Sequence, residues 1–130
     1  MFLIDTNICI YHIKGKYFLQ EKFEKVPRES RFISEITLAE LKFGIYNSQN
    51  PSANSIVLQD FLSGVNVLPI SPTLDFYAKE KARLRKLGTP IDEFDLLIGA
   101  CAVVNDLCLV TNNENHFLRI QGITIENWVK

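Results

Sequence analysis

Asp5, Glu40, Asp92, Asp95 and Glu114 each stand where an apolar run meets the start of a helical pattern. Asp5 closes Met1-Phe2-Leu3-Ile4, and Asp95 opens Leu96-Leu97-Ile98-Gly99-Ala100-Cys101-Ala102-Val103-Val104. A carboxylate beside a core is costly unless something pairs with it. Converging carboxylates also repel one another and raise each other's pKa. A bound divalent cation relieves both problems, and hard oxygen ligands suit Mg²⁺ or Mn²⁺. The first expectation is therefore a metal-dependent acidic site.

Each acid also has a plainer role. Asp5-Thr6-Asn7 is good N-cap chemistry. Thr37-Leu38-Ala39-Glu40 fits a capping box, with Glu40 reaching back to the Thr37 amide, and Asp92-Glu93-Phe94-Asp95 has the same spacing. Acids in a first turn also suit the helix dipole. Two features tilt the balance toward a site. Glu40 and Asp95 are each followed four residues later by glycine, at Gly44 and Gly99. A side chain at i+4 leans over position i, so glycine there leaves the carboxylate uncovered. Mid-helix glycine costs up to about 1 kcal/mol against alanine, which calls for a reason. A helix end at Gly44 and tight helix packing at Gly99 are the competing explanations. Asp95 also lies in the most apolar helical run, where Asp92 is already available as the cap.

No serine, cysteine or histidine constellation offers a competing nucleophile. His12 and His116 are too few and too far apart for a zinc site; His116 could lie near the acidic site, but Asn115-His116-Phe117 more plainly packs the turn after Thr111. Cys9, Cys101 and Cys108 are odd in number and lack CxxC spacing, so they are expected to be core thiols of a reducing cytoplasm. The chain carries no apolar stretch long enough for a bilayer and no signal-like leader, which predicts no membrane association. At 130 residues with 47% hydrophobic content, a single domain over residues 1–130 with a real core is expected.

Net charge is −1, so composition does not announce nucleic acid. Basic residues are nevertheless clustered. Lys79, Lys81, Arg83, Arg85 and Lys86 crowd one stretch, and Lys14, Lys16, Lys22, Lys25, Arg28 and Arg31 form a second set. Such patches can contact phosphates or serve as ordinary solvated helix faces.

The elements that must position these residues alternate. Phe2-Leu3-Ile4 predicts a strand, followed by a helix from Thr6 that Gly15 ends. A second helix is expected near Tyr17 to Lys25, stopped by Pro27. Phe32 to Ser34 is the next strand; Leu38, Leu41 and Ile45 recur at helical spacing. Asn47 to Pro51 is a loop before the amphipathic repeat Val57, Leu58, Phe61, Leu62. Val65 to Leu68 is strand-like, and Pro72 to Leu87 is a helix closed by Gly88. A helix from Glu93 to Asn105, a strand at Leu107 to Val110 and a last strand at Ile123 to Ile125 complete the chain. Strand–helix alternation predicts an α/β protein, a three-layer α/β/α sandwich with a mainly parallel sheet. Ligands in such folds gather at strand carboxyl ends, where Asp5 and Thr111 fall.

Four motifs carry a family resemblance. They are Leu3-Ile4-Asp5-Thr6-Asn7; Ser34-Glu35-Ile36-Thr37-Leu38-Ala39-Glu40-Leu41; Gly88-Thr89-Pro90-Ile91-Asp92-Glu93-Phe94-Asp95-Leu96-Leu97-Ile98-Gly99-Ala100; and Leu109-Val110-Thr111-Asn112-Asn113 with Phe117. In this order and spacing the chain resembles a PIN domain, most closely the VapC-type toxins of bacterial toxin–antitoxin pairs. The resemblance implies a Mg²⁺- or Mn²⁺-dependent endoribonuclease that hydrolyses RNA phosphodiester bonds, with tRNA as a candidate substrate. It implies that Asp5, Glu40 and Asp95 hold metal and carry catalysis, and that Thr111 supports the site or its water. Thr6, Asn7, Asn113 and Asp92 fall in supporting positions. Asn113 occupies the family's fourth acidic position, and its neutral oxygen leaves one metal or two open. A cognate antitoxin and a homodimer are implied as partners, with Tyr11, Tyr17, Phe18, Phe43 and Tyr46 as candidates for exposed contact surface. The antitoxin is expected to place a basic or aromatic tail near the acidic cleft. Non-toxin nuclease action and metal or RNA binding with weak catalysis are the alternatives. A phosphoaspartyl phosphatase would need a second Asp where Asn7 stands.

Overall fold

The computed structural model describes residues Met1–Lys130. Its centre is a five-stranded sheet of β1 (Phe2–Ile4), β2 (Arg31–Ser34), β3 (Asn66–Leu68), β4 (Cys108–Val110) and β5 (Ile125–Glu126). The strand order is β3-β2-β1-β4-β5, and every pairing is parallel. Strands this short are held by burial on both faces, which is why they read as unbroken apolar runs. Successive side chains point to opposite faces. Ile4 and Val110 therefore enter one core with Ile8, Leu41, Phe61 and Trp128. Leu3 and Leu109 enter the other with Leu84, Leu96, Ile98 and Phe117.

Seven helices flank the sheet: α1 (Thr6–Ile13), α2 (Leu19–Glu24), α3 (Glu35–Tyr46), α4 (Pro51–Leu62), α5 (Leu74–Lys86), α6 (Glu93–Val104) and α7 (Glu114–Phe117). The result is the three-layer α/β/α sandwich expected from the alternation. Asp5, Ser34, Asn50 and Asp92 cap α1, α3, α4 and α6 through their side-chain oxygens.

Several elements differ from expectation. α2 begins only at Leu19 because Tyr17 and Phe18 adopt left-handed backbone, with φ of 60° and 55°. α3 starts at Glu35, two residues before Thr37, so its cap is Ser34, whose hydroxyl accepts the Thr37 N–H at 3.1 Å. The capping box at Thr37 and Glu40 does not form. A short helix, α7, stands where a packed turn was expected. The last strand is Ile125–Glu126, displaced two residues from the expected start.

The three thiols are free, with Cys9 and Cys101 buried and Cys108 partly so. No helix is long and apolar enough to cross a membrane.

Candidate active site

β1 and β4 are neighbours, and their register pairs Ile4 with Val110. The next residue on each strand is therefore Asp5 and Thr111, side by side at the carboxyl edge of the sheet. The Thr111 hydroxyl donates to Asp5 Oδ2 at 2.8 Å. The Thr6 N–H donates to Asp5 Oδ1 at 2.8 Å, so both carboxylate oxygens are fixed. The same Thr111 oxygen accepts the Asn113 N–H at 2.9 Å, which folds the segment after β4 back over the site.

Glu40 comes from the second turn of α3. It caps nothing: its Oε1 accepts from the Thr6 hydroxyl at 2.6 Å, and that hydroxyl lies 3.0 Å from the Thr37 hydroxyl. The contact ties α3 to the start of α1 and brings Glu40 toward Asp5. Asp95 lies in the first turn of α6. Asp92 caps that helix by accepting the Asp95 N–H at 3.4 Å, which leaves the Asp95 carboxylate free for other work. Its Oδ2 faces Nδ1 of His116 on α7 at 3.8 Å.

Asp5 is 4% exposed, and no lysine, arginine or histidine forms an ion pair with it. Burial pushes its pKa up to about 6, against the opposing pull of the Thr111 and Thr6 hydrogen bonds, and the charges of Asp95 and Glu40 push the same way. Asp95 is also raised, by burial first and then by the charge of Asp92, with His116 pulling it down. A buried carboxylate strained by two others, all oxygen donors, is the chemistry that a hard divalent cation relieves. The residues present fit such an ion. As the side chains stand, no three of them converge tightly enough to enclose it. Glu40 is drawn off by Thr6, and Asp95 is turned toward His116. Glu40 and Asp95 are partly exposed and His116 is exposed, whereas Asp5 is buried.

The remaining candidates divide. Asn7 is exposed and Thr6 is buried against Glu40. Asn113 directs its amide to His116 Nδ1 at 2.8 Å. Glu114 turns away, to Asn127 at 3.1 Å and Lys130 at 3.0 Å. Among the basic cluster on α5, Lys79 pairs with Asp75, Lys81 with Glu93, and Arg83 with the buried Glu80. Arg85 and Lys86 are exposed and have no ion-pair partner. The two glycines also part ways. A Cβ at Gly44 would meet nothing within 4 Å, so Glu40 is uncovered as expected. A Cβ at Gly99 would lie 2.3 Å from Ile120 Cδ1 and 3.1 Å from Phe117 Cδ1. Gly99 is a close-packing glycine and does not open space above Asp95.

His116 is the residue for which the sequence favoured packing over a place near the site. Its signal was weak: a lone histidine three residues after Asn113, in a helix of one turn. His12, in contrast, stacks on Phe23 with ring centroids 3.9 Å apart, about 10 Å along α1 from Asp5.

The comparisons with known proteins agree with this fold. Residues 2–123 match the PIN domain. The tRNA(fMet)-specific endonuclease VapC of Shigella flexneri is 36% identical over 98% of this chain and 97% of that protein. Ribonuclease VapC2 of Rickettsia felis is 35% identical over 100% of this chain and 99% of that one. A chain in the crystal structure of VapBC2 from Rickettsia felis, bound to a DNA fragment from their promoter, superposes with a TM-score of 0.92 at 32% identity, covering 98% of both chains. With the five parallel strands, the Asp5–Thr111 pair at their edge and a match across nearly the whole chain, this protein belongs to the PIN-domain family.

Proposed function

We propose that this protein is a Mg²⁺- or Mn²⁺-dependent endoribonuclease of the VapC type, acting as a single PIN unit over residues 1–130. The observation that carries the reading is Asp5: a carboxylate with almost no exposure and no cation, held rigid by Thr111 and the Thr6 N–H. Asp5, Asp95 and Glu40 would hold the ion. When bound, the ion polarises a phosphoryl oxygen and makes a bound water a better nucleophile at neutral pH. Thr111 and the Thr6 N–H keep Asp5 in place. Asp95 or Glu40, both less buried than Asp5, would orient a water for in-line attack on a phosphodiester. Arg85 and Lys86 are the α5 residues best placed to meet RNA phosphates. The relatives' names make tRNA the first substrate to test.

The solved VapBC complexes support a cognate antitoxin as partner. An open apolar groove of about 390 Å³ runs between α1, α3 and α4, lined by Ile10, Ile13, Leu41, Val57 and Leu58, with Glu40 at its rim. An apolar segment of the antitoxin fits the groove, and a cationic side chain at its end would meet Glu40. Phe18, Phe43 and Tyr46 are 83%, 67% and 81% exposed, an aromatic surface suited to antitoxin or to a second copy in a homodimer. The free thiols suit a reducing cytoplasm, where the RNA substrate lies.

Because the three carboxylates do not converge as they stand, metal or RNA binding without turnover is the second reading. RNA cleavage by the antitoxin-free protein, with Mg²⁺ or Mn²⁺ and then with a chelator, separates the two. Metal-dependent cleavage lost in Asp5→Asn, Glu40→Gln and Asp95→Asn supports the nuclease. Metal binding without cleavage supports the alternative.

A further inference from the structure

We infer that His116 supplies an imidazole nitrogen to the divalent ion at Asp95 and so biases the site toward Mn²⁺ over Mg²⁺. This rests on the metal-dependent reading above. Gly99 lies one helical turn beyond Asp95 on the same face of α6. Because Gly99 has no side chain, Phe117 and Ile120 seat directly on α6. Phe117 is fully buried there, which anchors α7. The neighbouring residue, His116, is thereby brought with its Nδ1 3.8 Å from Asp95 Oδ2.

As a structural contact this pair contributes little. The separation is too long for a hydrogen bond. The two side chains are 48% and 26% exposed, the setting in which ion pairs have small effects on stability. As a pair of ligands the spacing is apt: two donors on one first-row ion, each about 2.0–2.2 Å from it, stand roughly 3–4 Å apart. The Asn113 amide nitrogen lies 2.8 Å from Nδ1, and in the tautomer with its proton on Nε2 that amide donates to the Nδ1 lone pair. A cation between Nδ1 and Asp95 would replace that amide contact. Asn113 itself is a neutral oxygen ligand at best, so His116 is the stronger donor on this side of the site. Imidazole suits first-row transition ions, whereas Mg²⁺ favours carboxylate and water oxygens.

Only two histidines occur in the chain, and His12 is stacked on Phe23 in another region. That makes a direct spectroscopic test clean. Mn²⁺ alone is added to antitoxin-free, RNA-free protein, and pulsed EPR is used to look for ¹⁴N coupling from a coordinated imidazole. Mg²⁺ competition then gives the Mn²⁺:Mg²⁺ affinity ratio. Wild type should show the ¹⁴N coupling. His116→Ala should still bind Mn²⁺ but lose the coupling, and its Mn²⁺:Mg²⁺ ratio should fall by about tenfold. His116→Asp should also lose the coupling while gaining Mg²⁺ affinity, which guards against a folding artefact. Mn²⁺ bound by wild type without ¹⁴N coupling, or an unchanged ratio in both variants, overturns the role of His116 and leaves the carboxylate site intact. Wild type that binds no Mn²⁺ overturns both.

Discussion

Replacing Asp5 with asparagine should make the metal-free protein more stable at neutral pH, and the size of the gain follows from the site. Burial, assisted by Asp95 and Glu40, holds the Asp5 pKa at about 6 against an ordinary 3.8. The native carboxyl therefore keeps its proton to higher pH than the unfolded one. Stability is undiminished below 3.8, falls as pH rises from there to about 6, and stays lower above that. A gap of about 2 units corresponds to about 3 kcal/mol of lost stability at pH 7. Asparagine can still accept from the Thr6 N–H but loses the second carboxylate oxygen that takes the Thr111 hydroxyl, at a cost of about 1 kcal/mol. The net gain is about 2 kcal/mol, or a Tm rise of roughly 6–10 °C for a chain of this size. Thermal melts in chelator from pH 4 to pH 8 should show the gain at pH 7–8 and its disappearance near pH 4. Saturating Mn²⁺ should then stabilise wild type by about 2.7 kcal/mol at a hundredfold excess over Kd, and leave Asp5→Asn unmoved. A variant that melts below wild type by a constant margin at every pH would mean that Asp5 is only a helix cap.

The two glycines give a paired prediction: Gly99→Ala should destabilise by about 1–3 kcal/mol through its clash with Ile120 and Phe117, as read by denaturant unfolding. Gly44→Ala, with open space above it, should stabilise by about 0.5–1 kcal/mol in the same assay. Glu80 accepts from both Arg83 and the Gln121 N–H, and the Arg83 contact above all holds its pKa below the ordinary 4.5. Glu80→Gln should therefore lower the Tm above pH 4.5, and the difference from wild type should shrink as pH falls below that value. Arg85→Ala with Lys86→Ala should raise KM for RNA and flatten its salt dependence while leaving kcat in place.

What the sequence made legible was local. Apolar runs marked the strands and α6, and the acids beside them marked Asp5 at a strand end and Asp95 at a helix start. Asp92 declared itself a cap through its spacing to Asp95. Long-range contacts decided what was missed. Ser34 and Thr37 can both cap a helix, and the choice fell to Ser34 because β2 ends there in register with β3. That choice released Glu40 from a capping box and delivered it to Thr6, a partner 34 residues away. Nothing local required Tyr17 and Phe18 to take left-handed backbone, since aromatic residues rarely adopt it. Three of the five basic residues on α5 are paired, Lys79 and Arg83 by acids of α5 itself and Lys81 by Glu93 of α6. His116 entered the site only because α7 docks over Gly99, a contact that a one-turn helix cannot advertise by periodicity.

The central claim is that Asp5, Glu40 and Asp95 form one metal-dependent catalytic site. The most direct measurement is single-turnover cleavage of a tRNA substrate by antitoxin-free protein, titrated with Mn²⁺, for wild type and Asp95→Asn. Asp95 decides the matter because its helix is capped by Asp92, so its carboxylate has no structural duty in α6. The expected result is cleavage by wild type that rises with Mn²⁺ and vanishes with chelator, and an Asp95→Asn protein that folds like wild type yet does not cut. Cleavage by Asp95→Asn at the wild-type rate, or cleavage by wild type that persists in chelator, would contradict the account.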